Sequence, residues 1–372
     1  MKILILKSHL KEGLDSLSKI GSENIITLPV LKNFLIETVD NKIKLSMTNL
    51  EIGITSYIPA KVIEKGELTV PFSVFNSIIN NIQSERIDLE VKNNNLLVKT
   101  DNYQAKIQGI KKDEFPIIPK IDENNFLLEV SNSLFKKSLS SIISASQFSQ
   151  IRPELNGVFF NYQVGQLKLA ATDSFRLAEK TINNNQFKCE LEKEFKTIIP
   201  LKTIQEAVRI FKNEDKEINI YFDSNQVLFK TESVEIISRL INGDFPDYQA
   251  IIPNSSEIEV VANKDELTNA LKLVGSFSDK LNEIKMIIKE KSKNIEVYSS
   301  NQVVGENQYL IPAKIKGKPL EIVFNWRFLM DGIKNIDSED IYMGFNGEDK
   351  PVVIKNSKDI SCFYILMPIK AS

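Results

Sequence analysis

A chain of 372 residues with 42% hydrophobic and 26% charged residues can bury a core in each of two or three domains. Its net charge of −2, from 47 basic and 49 acidic residues, excludes a generally basic nucleic-acid binder and leaves that role only to charge segregated within the fold. Two distant cysteines, Cys189 and Cys362, exclude a disulfide framework and a cysteine zinc site and fit a reducing cytoplasm; the apolar run in MKILILKSHLK is too short for a signal peptide or a membrane span.

Along the chain the first helix reads Leu6 to Ile20, with Leu6, Leu10, Leu14 and Leu17 on one face. Alternating strands follow in NKIKLSMTNLEIGITSYIP. The phrase ELTVPFSVFNSIINNI (Glu67 to Ile82) is then a strand, a breaker at Pro71 and a helix. More strands lead to EFPIIP and a polar linker at Ile121 to Asn125. The order then repeats. A helix over Ser131 to Gln147, the strands of GQLKLAATDSFRLAEKTI and the phrase KTIIPLKTIQEAVRIF (Lys196 to Phe211) lead to GDFPDYQAIIP. It repeats again with a helix over Asn263 to Phe277, capped by Asn263, and with EIVFNWRFLMDGIKNI (Glu321 to Ile336). Phe72, Phe75, Ile79 and Ile82 share a frame with Leu201, Ile204, Val208 and Phe211, and with Trp326, Leu329, Ile333 and Ile336. Hairpin turns are expected at Asn93–Asn95, Ser224–Asn225 and Asn346–Gly347. Each copy is domain-sized, so the expectation is an α+β chain of three similar domains, 1–121, 122–253 and 254–372.

Chemistry is sparse. His9 is the only histidine, and there is no phosphate-binding glycine loop and no HExxH, so a histidine triad or histidine metal site is excluded. Thr172, Asp173, Ser174 and Arg176 bunch within ATDSFRLAEK. They read either as a binding site or as an Asx turn in which Asp173 bonds nearby backbone N–H groups. An enzyme for a phosphorylated substrate would use Asp173, Arg176 and Asp247. The six helical segments sum to +6, which leaves −8 for the rest. This basic excess either marks a surface for a polyanion or belongs to ordinary solvated helix faces.

LPVLKNFLIE, ELTVP, RPELNGVFF, ATDSFRLA, GDFPDY and YILMPIK, in this order over a threefold repeat, resemble the bacterial DNA sliding clamps, the beta subunit family of DNA polymerase III. The resemblance implies a DNA-clamp fold, with two helices packed on two antiparallel sheets in each domain. It implies a head-to-tail homodimeric ring around double-stranded DNA, with no catalytic residue, cofactor or metal and no membrane. Lys7, Lys11, Lys136, Lys137, Lys202, Arg209, Lys212, Arg327 and Lys334 would line the channel. A pocket for short motifs of the polymerase III catalytic subunit, the clamp loader and other clamp-binding proteins would comprise Leu155, Thr172, Ser174, Phe175, Arg176, Leu177, Pro246, Ile251, Ile365, Leu366, Met367 and Pro368. Ile107, Phe277 and Leu281 are the candidates for the subunit interface. Ser174-Phe175 stands where the family often has Gly-His, and Ala250 where some members have a basic residue. The loop from Phe148 to Arg152 is short, and the loop around Asn24 lacks the arginine some members place against DNA.

Overall fold

The computed structural model describes residues 1–21, 28–122, 127–189, 194–211 and 216–370. Lys212, the loop at Asn24 and most of the polar linker after Ile121 lie outside them.

Six helices occur in three pairs: α1 (Lys7–Gly21) and α2 (Phe72–Asn81), α3 (Asn132–Ser140) and α4 (Leu201–Ile210), α5 (Lys264–Gly275) and α6 (Trp326–Asn335). Apolar stripes are buried as periodicity requires: Leu10, Leu14 and Leu17 in α1, Phe72, Phe75 and Ile79 in α2, and Leu329 and Ile333 in α6; Leu6, expected on the α1 face, instead ends the strand Lys2–Leu6 and is 44% exposed. The Asn263 side chain accepts from the N–H groups of Asp265 and Glu266, and Asn325 caps α6 in the same way. The helix expected over Ser131 to Gln147 is shorter. It stops at Ser140 and gives way to a 3₁₀ turn at Ile143–Ala145. The segment is rich in serine, and Ser141 Oγ bonds the Ser138 carbonyl at 2.7 Å, so side chains compete with the helical ladder there.

The chain folds into two compact units, one from residues 1–132, 188–191 and 209–240, the other from 133–187, 192–208 and 241–372. The first unit holds a five-stranded and a nine-stranded sheet; the second is built on a twelve-stranded ladder. In the first unit, strand Ile52–Pro59 pairs antiparallel with Val234–Arg239, which sets Gly53 opposite Ile237. In the second, Arg176–Asn183 pairs antiparallel with Cys362–Leu366, which sets Leu177 opposite Ile365. These two junctions join sheets that belong to different copies of the repeat. The expected hairpins form between Arg86–Lys92 and Asn95–Lys99, Glu217–Phe222 and Gln226–Lys230, and Asp340–Phe345 and Val352–Asn356.

Candidate partner-docking site

The polar bunch at Thr172 to Arg176 is an Asx turn. Asp173 Oδ1 accepts from the N–H groups of Phe175 (3.0 Å) and Arg176 (3.1 Å), and Thr172 Oγ1 donates to the Arg176 carbonyl at 2.7 Å. Ser174 sits at φ +78°, a left-handed conformation that favours glycine, which gives a physical reason for the glycine often found there in the family. The turn recurs at Thr48 to Ile52, where Asn49 Oδ1 accepts from Glu51 (3.1 Å) and Ile52 (2.9 Å), and Leu50 has φ +75°. In both places the following strand is tied on: Met367 N–H donates to the Phe175 carbonyl at 2.9 Å, and Arg239 N–H to the Glu51 carbonyl at 3.1 Å. Both alternatives for ATDSFRLA therefore have content. The residues are a structural turn, and the turn walls a cavity.

That cavity, of about 130 Å³, is lined by Thr172, Ser174, Arg176, Leu177, Pro246, Ile251, Ile365 and Met367, together with Arg152, Asp247 and Tyr248. Its floor is the cluster of Phe159, Ala170, Leu177, Ile198, Tyr248, Val353 and Ile365. The other four expected residues lie elsewhere. Leu155 is buried at 2% exposure, outside the lining. Leu366 alternates with Ile365 on its strand, so its side chain points to the opposite face and is buried there. Phe175 is 63% exposed, and Pro368 is half-buried beyond Met367.

Three residues that sequence reasoning did not select shape the site. Tyr248 is buried, and its hydroxyl donates to Glu179 Oε2 at 2.5 Å, which fixes the linker that carries Pro246 and Ile251. Arg152 donates to Ser174 Oγ at 3.0 Å and pairs with Glu154 at 3.1 Å. Asp331 of α6 lies 2.5 Å from the Arg176 guanidinium. Tyr248 and Arg152 stand inside phrases that mark the family, GDFPDY and RPELNGVFF; Asp331 carried no sequence signal. Burial works against the Arg176 charge, but Tyr364, Asp173 and Asp331 outweigh it and hold the group above its ordinary value.

The first junction has a cavity of its own, about 300 Å³, but its lining differs and includes Lys44, Lys230 and Glu235 beside Gly53, Ile118 and Ile237. Gly53 stands where the second junction has Leu177. A Cβ there would meet Ile118 Cγ2 at 2.9 Å, so the chain's own linker lies over the strand. Ile118 packs with Ile121, Tyr221, Leu228 and Ile237. At the second junction the linker is longer by Asp247-Tyr248-Gln249-Ala250, and Tyr248 anchors it beside the open trough.

Among the helix cations, Lys11, Lys136, Arg327 and Lys334 pair with no carboxylate among the described residues, and Lys11, Arg327 and Lys334 are exposed. Others are engaged. Lys7 Nζ donates to the Ile82 carbonyl at the end of α2, and Arg209 donates to the carbonyls of Asp15 (2.8 Å) and Ser16 (2.9 Å). Lys137 pairs with Asp337 at 2.6 Å, and Lys202 is exposed. Ile107 is buried at 5% exposure, on the edge strand Gln104–Gln108, so its side chain serves its own core. Phe277 is half-buried and Leu281 is 63% exposed. Among the described residues no cluster of three or more His, Cys, Asp or Glu could hold a metal ion, and no helix is long and apolar enough to cross a membrane.

Profiles of the N-terminal, central and C-terminal domains of the DNA polymerase III beta subunit match residues 1–119, 129–247 and 249–370. The beta sliding clamps of Bacillus subtilis and Synechococcus elongatus are 25% and 27% identical to the chain, cover all of it, and are themselves covered to 100% and 99%. The crystal structure of the Bacillus subtilis DNA polymerase sliding clamp superposes with a TM-score of 0.94 at 25% identity. That of the Thermotoga maritima DNA polymerase III beta subunit gives 0.90 at 27% identity, and both comparisons cover 100% of each chain. With three antiparallel α+β repeats in the same order and all three domain profiles in place, the chain belongs to the DNA polymerase III beta subunit family, the sliding clamps of bacterial DNA replication.

Proposed function

We propose that this chain is a non-catalytic clamp of three domains, 1–121, 122–253 and 254–372, that closes with a second copy around duplex DNA and tethers the replicative polymerase and other motif-bearing proteins. The trough between Leu177, Ile251, Ile365 and Met367 carries the docking part of this reading: it is apolar, partly preformed and walled by a pinned turn, as a site for a partner's Leu or Phe anchors should be. Met367 adds an adaptable side chain suited to several clients. Two of the three residues an enzyme would use are engaged with each other in the turn, where Asp173 bonds Arg176 at 2.9 Å.

Counting junctions supports ring closure. Three copies joined in line make two internal junctions and leave two partners over: the edge strand Gln104–Gln108, and the outer edge of Gly305–Pro312, which pairs on its other side with Asn294–Asn301. The first corresponds to Val234–Arg239, because Ile110 bridges Thr69 as Ile241 bridges Ile198. Carrying over the internal register places Lys106 of one copy opposite Glu306 of the other. Ile107 then contributes backbone, and Phe277 and Leu281 contribute apolar surface. Exposed Lys11, Lys202, Arg327 and Lys334, with half-buried Lys136, supply weak phosphate contacts without base readout, which suits sliding. Small-angle scattering should show a two-subunit ring, and the protein should stay on circular DNA after loading but run off linear DNA. A particle that stays monomeric at micromolar concentration and shows no such topological retention would overturn the proposal.

A further inference from the structure

Arg176 lines the docking cavity but does not offer its charge to it. Its side chain is 8% exposed. Nε lies 2.9 Å from Asp173 Oδ2, one terminal nitrogen lies 2.5 Å from Asp331 Oδ2, and the guanidinium carbon sits 4.0 Å from the centre of the Phe328 ring. Two carboxylates thus face one guanidinium, and an aromatic face covers it. Asp331 and Phe328 both come from α6, and α6 is itself held against the pocket strand. Tyr364 donates to the Phe328 carbonyl at 2.9 Å, and Gly332 admits the Tyr364 ring, where a Cβ would come within 2.5 Å of Cδ1. The other charges on the cavity wall are Arg152, already paired with Glu154, and the exposed Asp247.

We infer that Asp331 is a specificity-determining positioning residue of the docking pocket: by holding the Arg176 guanidinium against α6, it makes the pocket select an uncharged apolar anchor and reject an acidic one. The inference rests on the pocket being a site for partner peptides. An anchor carboxylate would be desolvated beside a cation that two acids already face, so the group of Arg176, Asp173 and Asp331 offers it a net charge of about −1 rather than +1. A leucine in the same place has the apolar part of the lining to pack against, Leu177, Pro246, Ile251, Ile365 and Met367. Discrimination here comes from the unfavourable element as much as from apolar contact.

The test uses the full chain and two fluorescent peptides that differ at one anchor, Leu in one and Glu in the other. Binding of the Leu peptide to the wild-type chain tests the pocket itself, and its failure would remove the pocket reading and this inference together. With that binding in place, the ratio of the two affinities tests Asp331. Asp331→Asn should narrow the preference for Leu by up to roughly fivefold, the scale of one partly exposed ion pair, through gain on the Glu peptide. That gain should fade at high salt, and Asp331→Glu should restore the wild-type ratio. An unchanged ratio in Asp331→Asn, or an equal loss on both peptides, would overturn the inference.

Discussion

Tyr248→Phe probes the dependence of the docking site on its support. Tyr248 and Glu179 are each 5% exposed, and the phenol donates to Glu179 Oε2 at 2.5 Å. The carboxylate's other bond, from Thr181 Oγ1, is long at 3.4 Å. Phenylalanine keeps the edge-to-face contact with Phe245, whose ring centroid is 6.0 Å away, but removes the best donor of a buried acid. A hydrogen bond to a charged group contributes roughly 1.5–3 kcal/mol, and an orphaned buried acceptor costs on the same scale. For a unit of this size, about 2–4 °C per kcal/mol gives a melting shift of roughly 3–12 °C. Thermal unfolding at pH 7 should show that loss. Adding Glu179→Gln should recover part of it, because the orphaned acceptor is then neutral. Affinity for a Leu/Phe-anchored peptide should fall several-fold, since the same linker carries Pro246 and Ile251. Burial, with Glu179 beside it, pushes the Tyr248 hydroxyl up, so the folded chain keeps a proton that the unfolded chain loses. That stabilisation is full below the ordinary tyrosine value of about 10 and is lost as pH rises above it, so Tyr248→Phe should flatten part of the alkaline limb. A variant that melts with the wild type at pH 7 and binds peptide as tightly would refute the argument.

In sedimentation velocity, Lys106→Glu or Glu306→Lys alone should weaken the dimer and the pair together should restore it; no recovery in the pair would reject the proposed register. Neutralising Lys136, Arg327 and Lys334 should lower the salt slope of DNA retention by about 0.9 for each phosphate left without its cation, with no change in sequence preference. Glu37 lies between Lys112 (2.8 Å) and Lys44 (3.1 Å). Burial alone would raise its carboxyl, but the two lysines outweigh that and hold it below its ordinary value. Its contribution is therefore complete above that value and lost as pH falls below it, so Glu37→Gln should blunt acid unfolding when denaturant midpoints are compared between pH 6 and pH 3. Met367→Ala should reduce peptide affinity several-fold by equilibrium titration, while dimerisation is unchanged.

Periodicity made the helices and hairpins legible, because each needs only near neighbours. Phe72, Phe75 and Ile79 announce a buried stripe wherever the helix packs, and Asn263 announces a cap before any tertiary structure exists. Local signals misjudged α3, where serine side chains compete for backbone bonds. They could not assign helix charges to roles either. Lys7 and Arg209 count toward the basic excess of the helices, but a carbonyl 75 residues away engages one and the carbonyls of α1 engage the other. The pocket was legible only in part. Alternation on Cys362–Leu366 turns Ile365 toward the cavity and Leu366 away, a distinction that needs the register with Arg176–Asn183.

Three sequence copies and two compact units are compatible because they measure different things. A copy is a period of the chain, whereas a unit follows continuous hydrogen-bonded sheet. Each junction strand pairs across the copy boundary as regularly as within a copy, so the central copy contributes residues to both units. A site formed at a junction therefore belongs to no single copy: Leu177 and Ile365 face each other only because two copies share a ladder. The same logic makes the C-terminal strand more than an edge of the pocket. Tyr364 is 2% exposed and bonds α6, so cutting the chain before it would remove a buried aromatic and the whole register opposite Arg176–Ala178. The docking proposed for this junction cannot be deleted without also deleting structure, so its test goes side chain by side chain.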